Sequence, residues 1–405
     1  MLSAGDEPDF ANLPGIHPGA NVFIIIKNPL TRRDYDRACI AKLEQEYNVK
    51  IFDCTKLVFP AANRDRGDEE YYPHNLIKID SFRELRQQLK DMSSGFVIDY
   101  VGNFSAKTVL LLHTFKRKGI SLVVVDSGPI PVPSIKNRPA EFLDSKWSSM
   151  LARIVNKIFF SIAVRILDSK ADIAIVSGTS WKAVARFNSA YRKIPAHTFD
   201  YEEYLQQRQI QRARTGQYAV YLDEDIAHHR DNAEWGYACP VTEEKFFSAL
   251  RRFFARFERE AGIPIVVAAY PSARYEARPY LLKDLEIVTG ETAALISGAS
   301  FVFAHASTAI SFPILWRCPI VFLTSDEITQ SWYYPRIECL RNILNAPMVN
   351  IDSQESEPLG IAQWQKLDES AYQAYQDTYL KSKGSPGISL WSIFLGATSG
   401  EISAK

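Results

Sequence analysis

The chain lacks net charge: Lys and Arg together number 47, and so do Asp and Glu, over 405 residues. A protein without a global field is a poor candidate for nucleic-acid binding through a broad basic surface. Cysteine is scarce and dispersed. Cys39, Cys54, Cys239, Cys318 and Cys339 form no CxxC pair, which argues against a disulfide framework or a zinc site and for a reducing cytoplasm. No uninterrupted apolar run approaches the roughly 20 residues of a membrane-spanning helix. The first twenty residues, MLSAGDEPDFANLPGIHPGA, are acidic and polar, unlike a signal peptide. Internal repeats and low-complexity blocks are missing too. What is present is a globular composition, 46% hydrophobic and 23% charged, in a chain long enough for two α/β domains.

Strand-like runs alternate with helical periodicity, the signature of parallel α/β architecture. In the first half the runs are NVFIIIKN, VKIFDC, GFVIDYVG, SLVVVDSG and ADIAIVSG, with helical patterns at 31–47, 81–92 and 105–118. A Gln- and Arg-rich segment, 204–217, interrupts the rhythm. It restarts with YAVYLDED, a helix over 242–261, IPIVVAAYP, LEIVTG, a helix around 290–299, FVFAH and PIVFLTS. The expected organisation is a flexible N-terminus (1–20), a Rossmann-like domain (21–210), a second one (211–365), and a helix crossing back with a loose tail (366–405). Two such sheets would face one inter-domain cleft, with ligands beyond the carboxyl ends of the strands.

Residues just after each strand are therefore the candidates. Ser307 and Thr308 follow FVFAH where a helix would start, so hydroxyls and free backbone N–H groups could converge on a phosphate, or simply cap the helix. Pro313 means that the helix either begins late, with Ser311 as cap, or kinks. Arg274 suits the same phosphate through its guanidinium fork. Glu327, beside Asp326, suits ribose hydroxyls. The triplet Asp223-Glu224-Asp225 invites a metal reading, but no further acid cluster supports one, and no metal is expected. His228 and His229 suit substrate or solvent contact better than metal ligation. In the first half, Asn28, Asp99, Asn103 and Asp126 stand at strand ends. An acid there could act as a general base, or cap its own turn.

The stretch 145–170 is different in kind. Trp147, Leu151, Ile154, Ile158, Ile162 and Ile166 share a broad helical face, and Lys146, Arg153, Lys157, Arg165 and Lys170 face a single acid, Asp168. A basic amphipathic helix of this kind either rests on anionic lipid or turns its apolar face to a core. The expected location is the cytoplasm, with the inner face of the membrane open to the protein through this helix.

The segments AAYPSARYE (268–276) and AHASTAISF (304–312) resemble, in kind and order, motifs of bacterial GT-B glycosyltransferases of capsule and lipopolysaccharide biosynthesis that use CMP-activated nonulosonic acids or Kdo. KIPAHTFDYEEYL (193–205) and AVYLDEDIAHH (219–229) are similar to proteins encoded among surface-polysaccharide genes. The sequence departs from the pattern at Tyr270, which stands where the family has His. The resemblance implies a metal-independent transferase with no cofactor beyond a nucleotide-sugar donor, CMP-linked by preference, and a glycan or glycolipid acceptor. It implies that Pro271 shapes the base pocket, that Ser307 and Thr308 bind the CMP phosphate, and that Asp326 or Glu327 lies near the ribose or sugar; Tyr270, Arg274 and His305 stand beside them as further nucleotide-binding candidates. An inverting enzyme would use an acid of the first domain, Asp126 by preference, as base. A sugar-nucleotide 2-epimerase of the same fold would instead use Asp223, Asp225 and His229 around the sugar. A non-catalytic role in polysaccharide assembly is the third alternative.

Overall fold

The computed structural model describes residues 19–59, 70–102, 104–128, 130–131, 133, 158–210, 217–229, 232, 237–353 and 358–399. The chain divides into two compact units. The first takes in the chain through Gly128, Ser145–Phe199 and everything from Lys381; the second is chiefly Asp200–Leu380.

The first unit is a seven-stranded sheet of β1 (Asn21–Ile26), β2 (Asn48–Asp53), β3 (Leu76–Lys78), β4 (Phe96–Asp99), β5 (Ser121–Val125), β6 (Ile173–Ser177) and β7 (Arg192–Ala196). Its order is β3-β2-β1-β4-β5-β6-β7, with every pairing parallel. The run VFIII in β1 is apolar at every position because both faces of a parallel sheet are covered. Successive side chains alternate: Val22, Ile24 and Ile26 enter one core, Phe23 and Ile25 the other.

The tail expected to be loose contains the helix Leu390–Ser399, packed into the first of these cores. Leu390, Trp391, Ile393 and Phe394 are buried, and the Trp391 indole N–H donates to the Ala38 carbonyl at 2.8 Å. The apolar run LWSIFL is this helix's anchor, and burying large aliphatic and aromatic side chains offsets the entropy of ordering a chain end.

The second unit is a six-stranded parallel sheet of β8 (Ala219–Leu222), β9 (Ile265–Ala269), β10 (Glu286–Thr289), β11 (Phe301–Ala304), β12 (Ile320–Thr324) and β13 (Met348–Asn350), in the order β10-β9-β8-β11-β12-β13. Its longest helix, Glu243–Ala261, buries Phe246, Phe247, Leu250, Phe253, Phe254 and Phe257, the three-and-four spacing of an amphipathic face. Gly262 ends it in the left-handed region at φ 67°, where glycine is least strained. Among the described residues no helix is long and apolar enough to cross a membrane.

Candidate functional site

In the second sheet the strand order reverses between β8 and β11, and the crevice beyond their carboxyl ends is the expected ligand position. Glu224, two residues past β8, spans that point. One carboxylate oxygen accepts the Ala306 backbone N–H, after β11, at 2.8 Å. The other accepts the Tyr333 hydroxyl at 2.5 Å. Burial pushes the Glu224 carboxyl up to about 7, against the pull of those two hydrogen bonds and of the nearby Arg336 charge. Glu224 is nevertheless only half-buried: it helps line a cavity of about 230 Å³ with His229, Asn232, Tyr237, Trp332 and Arg336.

Aromatic side chains form one wall. The Tyr237 and Trp332 rings stack with centroids 4.2 Å apart and planes 18° apart. The Trp332 indole N–H is fixed by the Ala238 carbonyl at 2.8 Å, and the Arg336 guanidinium lies 5.3 Å from the Trp332 ring centre. A flat aromatic surface, a cation and a carboxyl poised near neutrality thus share one concave surface. The first suits a planar ring or a sugar face, the second an anion, and the third proton transfer.

The acids on either side of Glu224 have other duties. Asp223 accepts the Asp225 and Tyr270 backbone N–H groups at 2.9 and 3.1 Å and the Tyr275 hydroxyl at 2.9 Å. Burial pushes its carboxyl up to about 6. Asp225 takes a left-handed conformation, φ 44°, and pairs with Arg278 at 2.8 Å. Together they tie the end of β8 to the loop after β9. Among the described residues no three His, Cys, Asp or Glu side chains gather as a metal site.

The remaining candidates are dispersed. His229 lines the cavity, and its ring lies 4.9 Å from that of Tyr270, with Pro271 next in the chain. Arg274 is exposed and stands outside the cavity lining. His305 is wholly buried, one ring nitrogen 3.1 Å from the Tyr221 hydroxyl and the other 2.8 Å from the Leu323 carbonyl. Burial lowers its pKa to about 4, so it is neutral at pH 7.

Ser307 caps a 3-10 turn, Thr308–Ile310, through the Ala309 N–H at 3.2 Å, and Thr308 is exposed. The α-helix beyond it is short, Ser311–Leu315, and contains Pro313. Ser311 bonds Asp200 and is not its cap. Asp326 accepts the Asn350 amide at 2.7 Å. Glu327 caps the long helix by accepting the Thr242 N–H and hydroxyl at 2.7 and 2.9 Å.

In the first unit Asp126 is 2% exposed. It accepts the Ser177 hydroxyl at 2.7 Å and the Gly128 N–H at 3.2 Å, holding the end of β5 to the end of β6. Burial raises its pKa. Asp99 pairs with Arg186 at 2.7 Å, and Asn103 lies outside the described residues.

Strand-end position singled out His229, offered Glu224 only within the acid triplet 223–225, and gave no pointer to Tyr237, Trp332 or Arg336. A signal was available: SWYYPR, 331–336, is dense in aromatics, ends in a cation and follows β12 closely.

No protein-family model matches the chain, and no curated protein matches it in sequence. Solved structures do resemble it in shape. A putative UDP-N-acetylglucosamine 2-epimerase from Listeria monocytogenes is 12% identical, with 95% of this chain and 97% of that one covered and a TM-score of 0.50. A variant of the wall teichoic acid polymerase TagF is 13% identical, with 96% and 90% covered and a TM-score of 0.50. At such identities the likeness is one of fold: the chain has the GT-B fold, two Rossmann-like α/β domains.

Proposed function

We propose that the protein is a glycosyltransferase that takes its sugar from a nucleotide donor bound at the second unit. The observation that carries the reading is the cavity beyond β8 and β12, where the Tyr237–Trp332 stack, Arg336 and Glu224 converge. In this reading the aromatic wall receives the base or the sugar face. Arg336 and the turn at Ser307 and Thr308, adjoining the Ala306 N–H held by Glu224, receive the phosphate. A positive charge beside the leaving phosphate stabilises it without a metal. The sequence motifs favour a CMP-linked nonulosonic acid or Kdo as donor and a capsule or lipopolysaccharide glycan as acceptor.

A second reading is favoured by the Glu224 carboxyl, which burial holds at about 7. A group titrating there can both take and return a proton, as an epimerase acting on the sugar ring of its nucleotide sugar requires. The neighbour described as a putative UDP-N-acetylglucosamine 2-epimerase shares the fold.

Product analysis separates the two. The protein is incubated with CMP-, UDP- and GDP-sugars, with and without glycan acceptors. Transfer requires an acceptor and releases nucleotide, whereas epimerisation changes the donor alone. A protein that leaves every donor intact under both conditions is neither.

A further inference from the structure

We infer that residues 158–166 of the first unit form a docking surface for an anionic lipid bilayer. The inference is independent of the cavity in the second unit. These residues are helical. At about 100° per residue, Ile158, Phe159, Ile162 and Ile166 fall within one arc of about 100°. They are 53, 60, 46 and 73% exposed. On the opposite side Phe160 and Leu167 are half-buried and help line a cavity of about 660 Å³ with Leu112 and Val124; Val164, 43% exposed, Arg165 and Ile166 stand at its border. The helix therefore has an apolar inner side, as any surface helix does, and an apolar outer side, where a surface helix is ordinarily polar. Clustered apolar side chains left in water mark a contact surface.

Charge points to the partner. Arg165 borders the outer arc and is exposed. Lys170, just past the helix, lies 3.9 Å from the ring centre of Tyr191, itself 63% exposed. The acids that follow in the chain, Asp168 and Asp172, share one partner, Lys116, at 3.1 Å, so Lys116, Arg165 and Lys170 outnumber them by one and the rim stays cationic. In the sequence, 145–170 carries five Lys or Arg against Asp168 alone; Lys146, Arg153 and Lys157 lie outside the described residues. Aliphatic and aromatic side chains inserted at the headgroup level, with basic residues at the rim, fit anionic phospholipid.

The test is cosedimentation of the full chain, at low salt, with vesicles of phosphatidylcholine alone or of equal parts phosphatidylcholine and phosphatidylglycerol. The parent protein is expected to sediment with the anionic vesicles and not with the neutral ones. Arg165→Glu with Lys170→Glu should weaken binding by about 25-fold or more, since each basic residue near an anionic surface contributes about 1 kcal/mol, or roughly fivefold. Ile162→Ser with Ile166→Ser should abolish it. Both pairs of positions are exposed, so far-UV circular dichroism and the melting temperature should stay at parental values. Parent protein that ignores anionic vesicles, or binds neutral ones equally, overturns the inference. So does equal binding by the variants, or a solution dimer that Ile162→Ser with Ile166→Ser dissociates, which would assign the face to a second copy.

Discussion

Both sheets carry acids just beyond their central strands, and the two edges use them differently. In the first unit Asp99 and Asp126 are buried and engaged, one by Arg186 and two backbone N–H groups, the other by Ser177 and Gly128. In the second, Asp223 and Asp225 are engaged in the same way, but Glu224 between them keeps one side open to a cavity. A strand-end acid buried among its donors is part of the scaffold. One that is half-buried, raised in pKa and open to a cavity is poised for chemistry.

The comparison can be broken first at the ion pairs. Among the described residues the Asp225 carboxylate is paired by Arg278 alone, through both guanidinium nitrogens, so Arg278→Ala should leave a buried charge bare and cost about 3–5 kcal/mol. Arg186→Ala should cost less, about 1–3 kcal/mol, because Asp99 keeps the Val101 and Gly102 N–H groups at 2.8 and 2.9 Å. Denaturant titration of both variants measures the difference. Equal losses would mean that the two edges are not distinguished by their local donors.

The phosphate position is the next point of leverage. Ser307→Ala with Thr308→Ala should weaken nucleotide binding by about tenfold or more, since a hydrogen bond to a charged group is worth about 1.5–3 kcal/mol. Calorimetry showing parental affinity would confine the phosphate to Arg336.

The smallest expected effect is one of pH. Burial raises the folded-state pKa of Glu224 to about 7 and that of Asp223 to about 6. Between the ordinary carboxylate range and those values, the folded chain holds protons that the unfolded chain has released. Stability contributed by these groups is therefore fully present at low pH, falls as pH rises through roughly 4 to 7, and is flat above. Glu224→Gln should flatten the upper part of that slope, an effect on the order of 1–2 kcal/mol after solvent screening. Melting temperatures at pH 5 and pH 7.5, compared between parent and variant, read it directly.

The legible parts of this protein were those written in period. VFIII, FVFA and IVFLT announced parallel strands, and the phenylalanine spacing of Glu243–Ala261 announced its helix. The short edge strands LIK and MVN carry too few residues for a period to register, and LWSIFL looked like a tail because it stands after a polar run. At the site, strand ends were found but not roles. Whether an acid is matched or open depends on residues far away in sequence: Tyr275 and Arg278 for the flanking acids, Tyr333 and Ala306 for Glu224. Asp326 and Glu327 sit where ligand contacts were expected, and there they accept from Asn350 and from Thr242.

Whether the cavity walled by Tyr237 and Trp332 receives a nucleotide is tested most directly by isothermal titration of the parent and of Trp332→Ala with CMP, UDP and GDP. One nucleotide should bind the parent, and Trp332→Ala should weaken it by about 5- to 150-fold, the loss of about 1–3 kcal/mol of ring stacking. A parent that binds none of the three, or a variant that binds with undiminished affinity, would contradict nucleotide binding in this cavity.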